Sequence, residues 1–278
     1  MVNSNLPRRM LAISEIDPKY SIAAIIHVSD ESSHPKFIGT GFFISESGIF
    51  VTAKHILPDS YQQREHPIFG YDKYDSKIEI DKDLIYIVQF LGNNKVLQRR
   101  VLSMSLNANT DVAVGVAGEH KNPDGNTILT PPLILSGRHA KVGDTLHTYA
   151  FPNTKNIGKI IHLNPQRYDG KVVKEYQEGR DRTMLPNPCY ETQMQIPAGA
   201  SGGPAFNLPG SVVGINCTSL YNNEKVSFVS KLDGIENMKV PNGGLDKMIT
   251  IGKLIQLEKI YIHQWDSTGN DFISGYNI

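Results

Sequence analysis

Two cysteines in 278 residues, Cys189 and Cys217, are too few for the disulfide framework that staples small secreted domains. A single bridge between them is open to the sequence, but reduced thiols buried as small apolar groups are the expectation. Neither sign of charge is in excess. The 28 basic and 28 acidic side chains cancel, which argues against a partner held by long-range electrostatics, and no nucleic-acid partner is expected. Long apolar runs are missing too. Residues 1–17 offer only Met10-Leu11-Ala12-Ile13 after Arg8 and Arg9, too short for the core of a signal peptide, and nothing approaches the length of a membrane span. These absences lead to the expectation of a cytoplasmic protein with no membrane partner. The nine histidines are scattered without an H-E-x-x-H pattern or paired cysteines, so neither a metal nor another cofactor is expected. Walker loops, internal repeats and low-complexity tracts do not occur.

What the chain has instead is short runs of β-branched and aromatic residues set between turn residues. Strand-like runs lie at 21–28, 37–45, 49–52, 78–80, 84–91 and 95–104, with Gly48, Asp59 and Gly92-Asn93-Asn94 among the punctuation. Between residues 107 and 132 the character changes to a polar loop and a stiff Pro131-Pro132 segment, which marks a domain boundary. Further runs follow at 141–152, 159–163, 170–176, 190–195, 211–218 and 225–231. A chain of this length, 40% apolar, can bury one large core or two modest ones. Near the end, Thr250 is placed to cap a short helix whose Ile251, Leu254 and Ile255 share one face. The chain then runs on through 260–264 into a polar tail for which the sequence offers no role.

One stretch concentrates chemistry: Gln195–Pro204, QIPAGASGGP. Glycines at 199, 202 and 203 let the backbone curl so that consecutive N–H groups face one point, next to the hydroxyl of Ser201. Alone, this is equally the composition of a surface turn. A serine nucleophile also needs a base, and the base needs a third group to hold its tautomer. Upstream, His55 follows the run Ile49-Phe50-Val51-Thr52, and Asp111 opens the alternating run of 109–116. The order His, Asp, Ser, with gaps of 56 and 90 residues, is one of the orders in which such triads occur.

Together these segments resemble the trypsin-like (chymotrypsin-fold) serine protease family, in a bacterial-type member. The resemblance spans roughly residues 18–262 and is carried by G-T-G-F-F-I at 39–44 with T-A-K-H at 52–55, T-D-V-A-V at 110–114, G-A-S-G-G-P at 199–204 and V-V-G-I at 212–215. It implies an all-β fold of two antiparallel six-stranded barrels with a short C-terminal helix. Residues 18–128 would form the barrel carrying His55 and Asp111, and residues 129–262 the barrel carrying Ser201, with an N-terminal extension over 1–17 and a tail over 263–278. It further implies a serine endopeptidase acting on a protein or peptide substrate: Ser201 as nucleophile, His55 as base, Asp111 as its orienting group, and the N–H groups of Gly199 and Ser201 as oxyanion hole. By position, Gln195 would lie at the base of the specificity pocket, with Cys217, Thr218 and Ser219 as its wall, favouring small or medium uncharged side chains. Ile56 and Leu57 stand where secreted animal members have a cysteine, and Ala200 stands where zymogen-type relatives have an aspartate. Activity is therefore intrinsic or controlled otherwise, and residues 152–188 read either as a controlling loop or as a solvated hairpin. A catalytically silent binding module and an esterase on the same triad stay open, and the oligomeric state is not legible.

Overall fold

The computed structural model describes residues 17–29, 34–58, 68–70, 83–92, 95–157, 160–182, 185–220, 226–242, 247–265 and 271–274. The first half contains β1 (Ile22–Ser29), β2 (Pro35–Phe43), β3 (Ile49–Ala53), β4 (Ile68–Gly70), β5 (Asp83–Gly92), β6 (Lys95–Leu106) and β7 (Val112–Ala117). Neighbours run β6-β5-β1-β2-β3-β7, and β7 pairs back onto β6, closing an antiparallel barrel of six strands with β4 added beside β6. Closure pairs each of the six barrel strands on both sides, which is how an all-β unit limits pairing with other chains.

The second half contains β8 (Leu135–Ser136), β9 (Thr145–Ala150), β10 (Lys155–Ile157), β11 (Ile160–His162), β12 (Gln166–Tyr176), β13 (Cys189–Thr192), β14 (Pro204–Phe206), β15 (Val212–Leu220) and β16 (Val226–Lys231). Here β14-β9-β12-β13-β16-β15 closes through β14 and β15 into the second six-stranded barrel. A small pair follows, β17 (Lys239–Pro241) with β18 (Met248–Thr250), then helix α1 (Ile251–Gln256) and the hairpin β19 (Ile262–Trp265) with β20 (Asp271–Ser274).

Side-chain alternation explains where the core sits. On β1, Ala23 and Ile25 point into the first barrel with Phe43, Phe50, Ile87 and Met104. Ile22, Ala24 and Ile26 point the other way, into an apolar layer shared with Phe151, Phe206 and Ile215 of the second barrel and with Ile251 and Leu254 of α1. A strand covered on both faces has no polar side to present, so Ile22–Ile26 is a continuous apolar run. The second barrel fills its interior with Leu146, Val172, Tyr190, Met194, Val213 and Val229.

The all-β, two-barrel expectation is met. So is the short helix, where the Thr250 hydroxyl accepts from Lys253 N at 3.1 Å and Ile251 and Leu254 are buried. The expected strand at 78–80 and residues 1–16 of the extension lie outside the described residues. The segment 152–188 is mostly built rather than a single loop: β10 and β11 form a hairpin, and β12 begins earlier than its sequence signal, at Gln166. The tail acquires a structural place, because β19 lies parallel to β8 and extends the second sheet. Among the described residues no helix is long and apolar enough to cross a membrane.

Candidate active site

His55 sits in a single 3-10 turn, Lys54–Ile56, directly after β3. The antiparallel register of β3 with β7 pairs Ala53 with Val112, so one further step brings Lys54 opposite Asp111. Lys54 N donates to Asp111 O at 2.7 Å, and the Lys54 ammonium reaches Asn107 O at 2.8 Å. The Asp111 carboxylate then takes both groups of His55: the backbone N–H at Oδ1 (2.9 Å) and ring Nδ1 at Oδ2 (2.7 Å). Asp111 is buried while the His55 side chain is 44% exposed, so the imidazole is held at its inner nitrogen and open at its outer one.

Burial alone would push the Asp111 carboxyl upward. The hydrogen bond and charge of His55, with the Cys217 thiol and the His55 backbone N–H, outweigh it and hold the carboxyl below its ordinary value.

Ser201 lies on a turn pinned from both barrels. Ala200 N donates to Pro197 O at 3.4 Å, with Gly199 third in that turn at φ 95°, as a type II turn requires. Gly202 N bonds Asn216 O on β15, and Ser201 O accepts from Thr40 N on β2, both at 2.8 Å. Gly202, at φ 84°, passes so close to β2 and β3 that a Cβ there would lie 2.2 Å from Thr40 O and 2.3 Å from Thr52 Oγ1. Asn153, itself left-handed at φ 56°, donates its N–H to Ala198 O at 3.3 Å. Because a trans peptide carries its C=O and N–H on opposite sides, this turns the Gly199 N–H away from Asn153. Among the described residues the N–H groups of Gly199 and Ser201 meet no acceptor.

Cys217 links the two halves. The register of β15 with β16 skips from Asn216 to Thr218, leaving Cys217 as the extra residue of a bulge. Its thiol donates to Asp111 Oδ2 at 3.0 Å, and its carbonyl accepts the Ser201 hydroxyl at 3.0 Å. Burial first, and the neighbouring carboxylate after it, push this thiol far up, so it stays protonated. A hydroxyl has one hydrogen, so Ser201 in this arrangement gives it to a carbonyl rather than to an imidazole.

A cleft of about 210 Å³ opens beside Ser201, lined by Ile196, Gly199, Asn216, Cys217 and Thr218 among others. Gln195, expected at its base, is exposed and does not line it; Ile196, 3% exposed, does. Alternation along an extended segment sends neighbouring side chains to opposite sides, which separates Gln195 from Ile196 here. Ser219 continues β15, but its side chain lies outside the described residues. Strand β14 pairs with β15 only as far as Ile215, so the edge at 217–219 on that side is left without a strand partner among the described residues.

Reading the sequence missed three supports. Thr40, fully buried, donates to Gly199 O at 3.0 Å and accepts from Phe151 N at 3.2 Å. Asn216 Nδ2 reaches Thr148 Oγ1 at 2.7 Å. Asn187, with its amide turned to match its neighbours, donates to Asn109 O at 3.0 Å and accepts from Asp111 N at 2.8 Å. No sequence signal marks them, since each acts across a separation set by the fold.

Comparison with known proteins adds further findings. The family model described as trypsin-like peptidase domain matches residues 39–215. The chain is similar to a DegP-like periplasmic serine endoprotease of Pseudomonas savastanoi pv. phaseolicola, 27% identical over 193 residues that cover 67% of this chain and 30% of that protein. It is also similar to serine protease HTRA3 of Rattus norvegicus, 28% identical over 206 residues, 69% of this chain and 37% of that one. The chain thus spans about a third of the length of these curated relatives. Among solved structures, Deg5 superposes with a TM-score of 0.54 at 16% identity, over 86% of this chain and 96% of that one. The active form of the Rv3671c protease of M. tuberculosis gives 0.51 at 18% identity, over 91% and 86%. These two likenesses bear on the fold.

The relatives' names overturn the expectation of a cytoplasmic protein, because the DegP-like enzymes of P. savastanoi and P. putida are named as periplasmic. The thiols give that expectation no support either. Cys189 and Cys217 are free and buried, but β16 lies between their strands, so the lack of a bridge follows from geometry and says nothing of redox compartment.

Proposed function

From the premise that this chain belongs to the trypsin-like peptidase family, we propose that it is a serine endopeptidase that cleaves protein substrates through an acyl-enzyme. Ser201 attacks the scissile carbonyl, and His55 Nε2 takes its proton. Asp111 at 2.7 Å keeps the ring hydrogen on Nδ1, which leaves the Nε2 lone pair for that task, and it stabilises the imidazolium that forms. The N–H groups of Gly199 and Ser201 hold the oxyanion, each such donor being worth roughly 3 kcal/mol. A substrate strand lies along 217–219, where its backbone completes the pairing that β14 leaves off, and its side chain enters the cleft over Ile196 and Thr218. A cleft of this size without a charged wall suits small or medium uncharged residues. An exported location, as named for the DegP-like relatives, is part of the same proposal.

The observation that carries this reading is the unbroken chain of bonds from His55 through Asp111 and Cys217 to Ser201. It joins segments of both barrels that have no local reason to meet.

One feature favours a second reading, a silent binding module: the Ser201 hydroxyl is bonded to Cys217 O. Rotation of that hydroxyl frees it if the site is active, and a fluorophosphonate decides. The expected result is stoichiometric labelling at Ser201, with Ser201→Ala unlabelled, natively folded, and reduced in peptide turnover by about a millionfold. A folded wild-type protein that stays unlabelled would establish the binding module instead.

A further inference from the structure

The sequence offers no metal pattern, yet among the described residues His55, Asp111 and Cys217 form one group whose donor atoms all lie within 4.8 Å of one another. We propose that these three side chains form an inhibitory site for a thiophilic divalent cation, Zn²⁺ above all, which disarms Ser201 by occupying Nδ1 of its base. The binding half stands by itself, and the inhibitory half rests on the endopeptidase reading.

The donors are the ones zinc selects: one imidazole, one carboxylate and one sulfur. Nδ1 and Oδ2 are 2.7 Å apart, and Sγ and Oδ2 are 3.0 Å apart. Tetrahedral zinc with bonds of about 2.0–2.3 Å sets its ligand atoms about 3.3–3.7 Å apart, so those two pairs need to spread by less than about 1 Å. The charges close as well. A thiolate and a carboxylate cancel a divalent cation, so the loaded site is neutral and tolerates its buried position. Magnesium and calcium, which require six or more oxygens, find one carboxylate here. Entry is from the side of His55, whose side chain is 44% exposed, and Cys217 lines the cleft beside Ser201, leaving a fourth position for water.

The protons balance simply. The metal displaces the Cys217 proton to solvent. At His55 it takes the Nδ1 lone pair, and the neutral ring carries its hydrogen on Nε2 instead. That nitrogen is the one that must accept the Ser201 proton, so the base is lost while the fold is untouched. The ligands are 56 and 106 residues apart in the chain, which is why no spacing pattern reveals them.

Binding is read in Ser201→Ala protein, where turnover plays no part. Cd²⁺ serves as probe because a cadmium thiolate gives an ultraviolet charge-transfer band. The band is expected to saturate at one equivalent, to be displaced by Zn²⁺ and not by Mg²⁺, to vanish in Cys217→Ser and to persist in Cys189→Ser. His55→Ala, a change at an exposed side chain, should weaken Zn²⁺ binding at least about tenfold with the fold unchanged by circular dichroism. A missing band, a band surviving Cys217→Ser, or one lost with Cys189→Ser would overturn the site. In the wild type, saturating Zn²⁺ should abolish turnover reversibly on chelation; full activity with the band present would overturn the inhibitory half. A protein that shows the band but never turns over substrate retains the metal site and loses the endopeptidase reading. Turnover without the band gives the reverse.

Discussion

Asp111 is where opposing electrostatic effects are settled in this molecule. Its burial favours the neutral acid, and two bonds from His55 with one from Cys217 favour the carboxylate and prevail. A carboxyl whose folded-state pKa is depressed contributes stability that is complete above its ordinary value and is lost as pH falls through the depressed one. Asp111→Asn should therefore be less stable than wild type near neutrality, and the gap in urea midpoints should narrow as the pH is lowered from about 6 towards about 2. The same change should lower turnover by about 10⁴-fold, because an amide no longer holds the ring hydrogen on Nδ1. A gap in midpoints independent of pH would show that the carboxylate charge has no part in the stability difference. At this scale the sequence was legible where chemistry is local: His55 and Asp111 each stand beside a strand-like run, and Ser201 stands among glycines. The side chain of Gln195 lies outside the cleft because a wall depends on which way an extended segment turns its side chains, and that is fixed by pairing partners remote in the chain.

The turn that carries Ser201 exposes a hydroxyl only because two of its glycines do different work. Gly199 supplies the positive φ of the turn, and Gly202 lets the backbone press against Thr40 O and Thr52 Oγ1. Gly202→Ala combines a left-handed alanine, about 1–2 kcal/mol, with a contact that backbone atoms cannot yield. The expected loss is more than about 2 kcal/mol by urea unfolding, with fluorophosphonate labelling slowed to near background. A variant as stable and reactive as wild type would mean the turn has room that its geometry denies. The bulge at Cys217 is the companion device, aiming a thiol at one member of the site and a carbonyl at another. The glycines are visible in the sequence and so is the strand at 211–218, but a bulge is a mismatch between two strands and has no signature in either alone.

Between the barrels the contact is mostly apolar, and Thr40, like Cys217 and Asn187, adds a polar tie to it at the site. Its hydroxyl bonds Gly199 O and Phe151 N across the interface, and its own N–H holds Ser201 O. Thr40→Val keeps the shape and the backbone bond but strands two buried backbone groups, at a cost of about 1–3 kcal/mol. Turnover should fall more than substrate affinity, since the loosened part is the turn proposed to hold the oxyanion. Equal kcat and KM in the variant would detach the barrel interface from catalysis.

Some properties belong to the chain before it folds. Alternating short runs and turn residues favour strands, strands with little helix make an all-β sandwich or barrel, and the residue types at 55, 111 and 201 set which chemistry is available. Propensity and reactivity are properties of single residues and their neighbours, so they can be read in order. The bonds Asn187 makes at Asp111, the reach of Thr40 across the interface, the choice of Ile196 over Gln195 and the meeting of His55, Asp111 and Cys217 came from the tertiary structure alone. Each depends on strand register and barrel closure, which bring together atoms whose separation along the chain carries no trace of their contact.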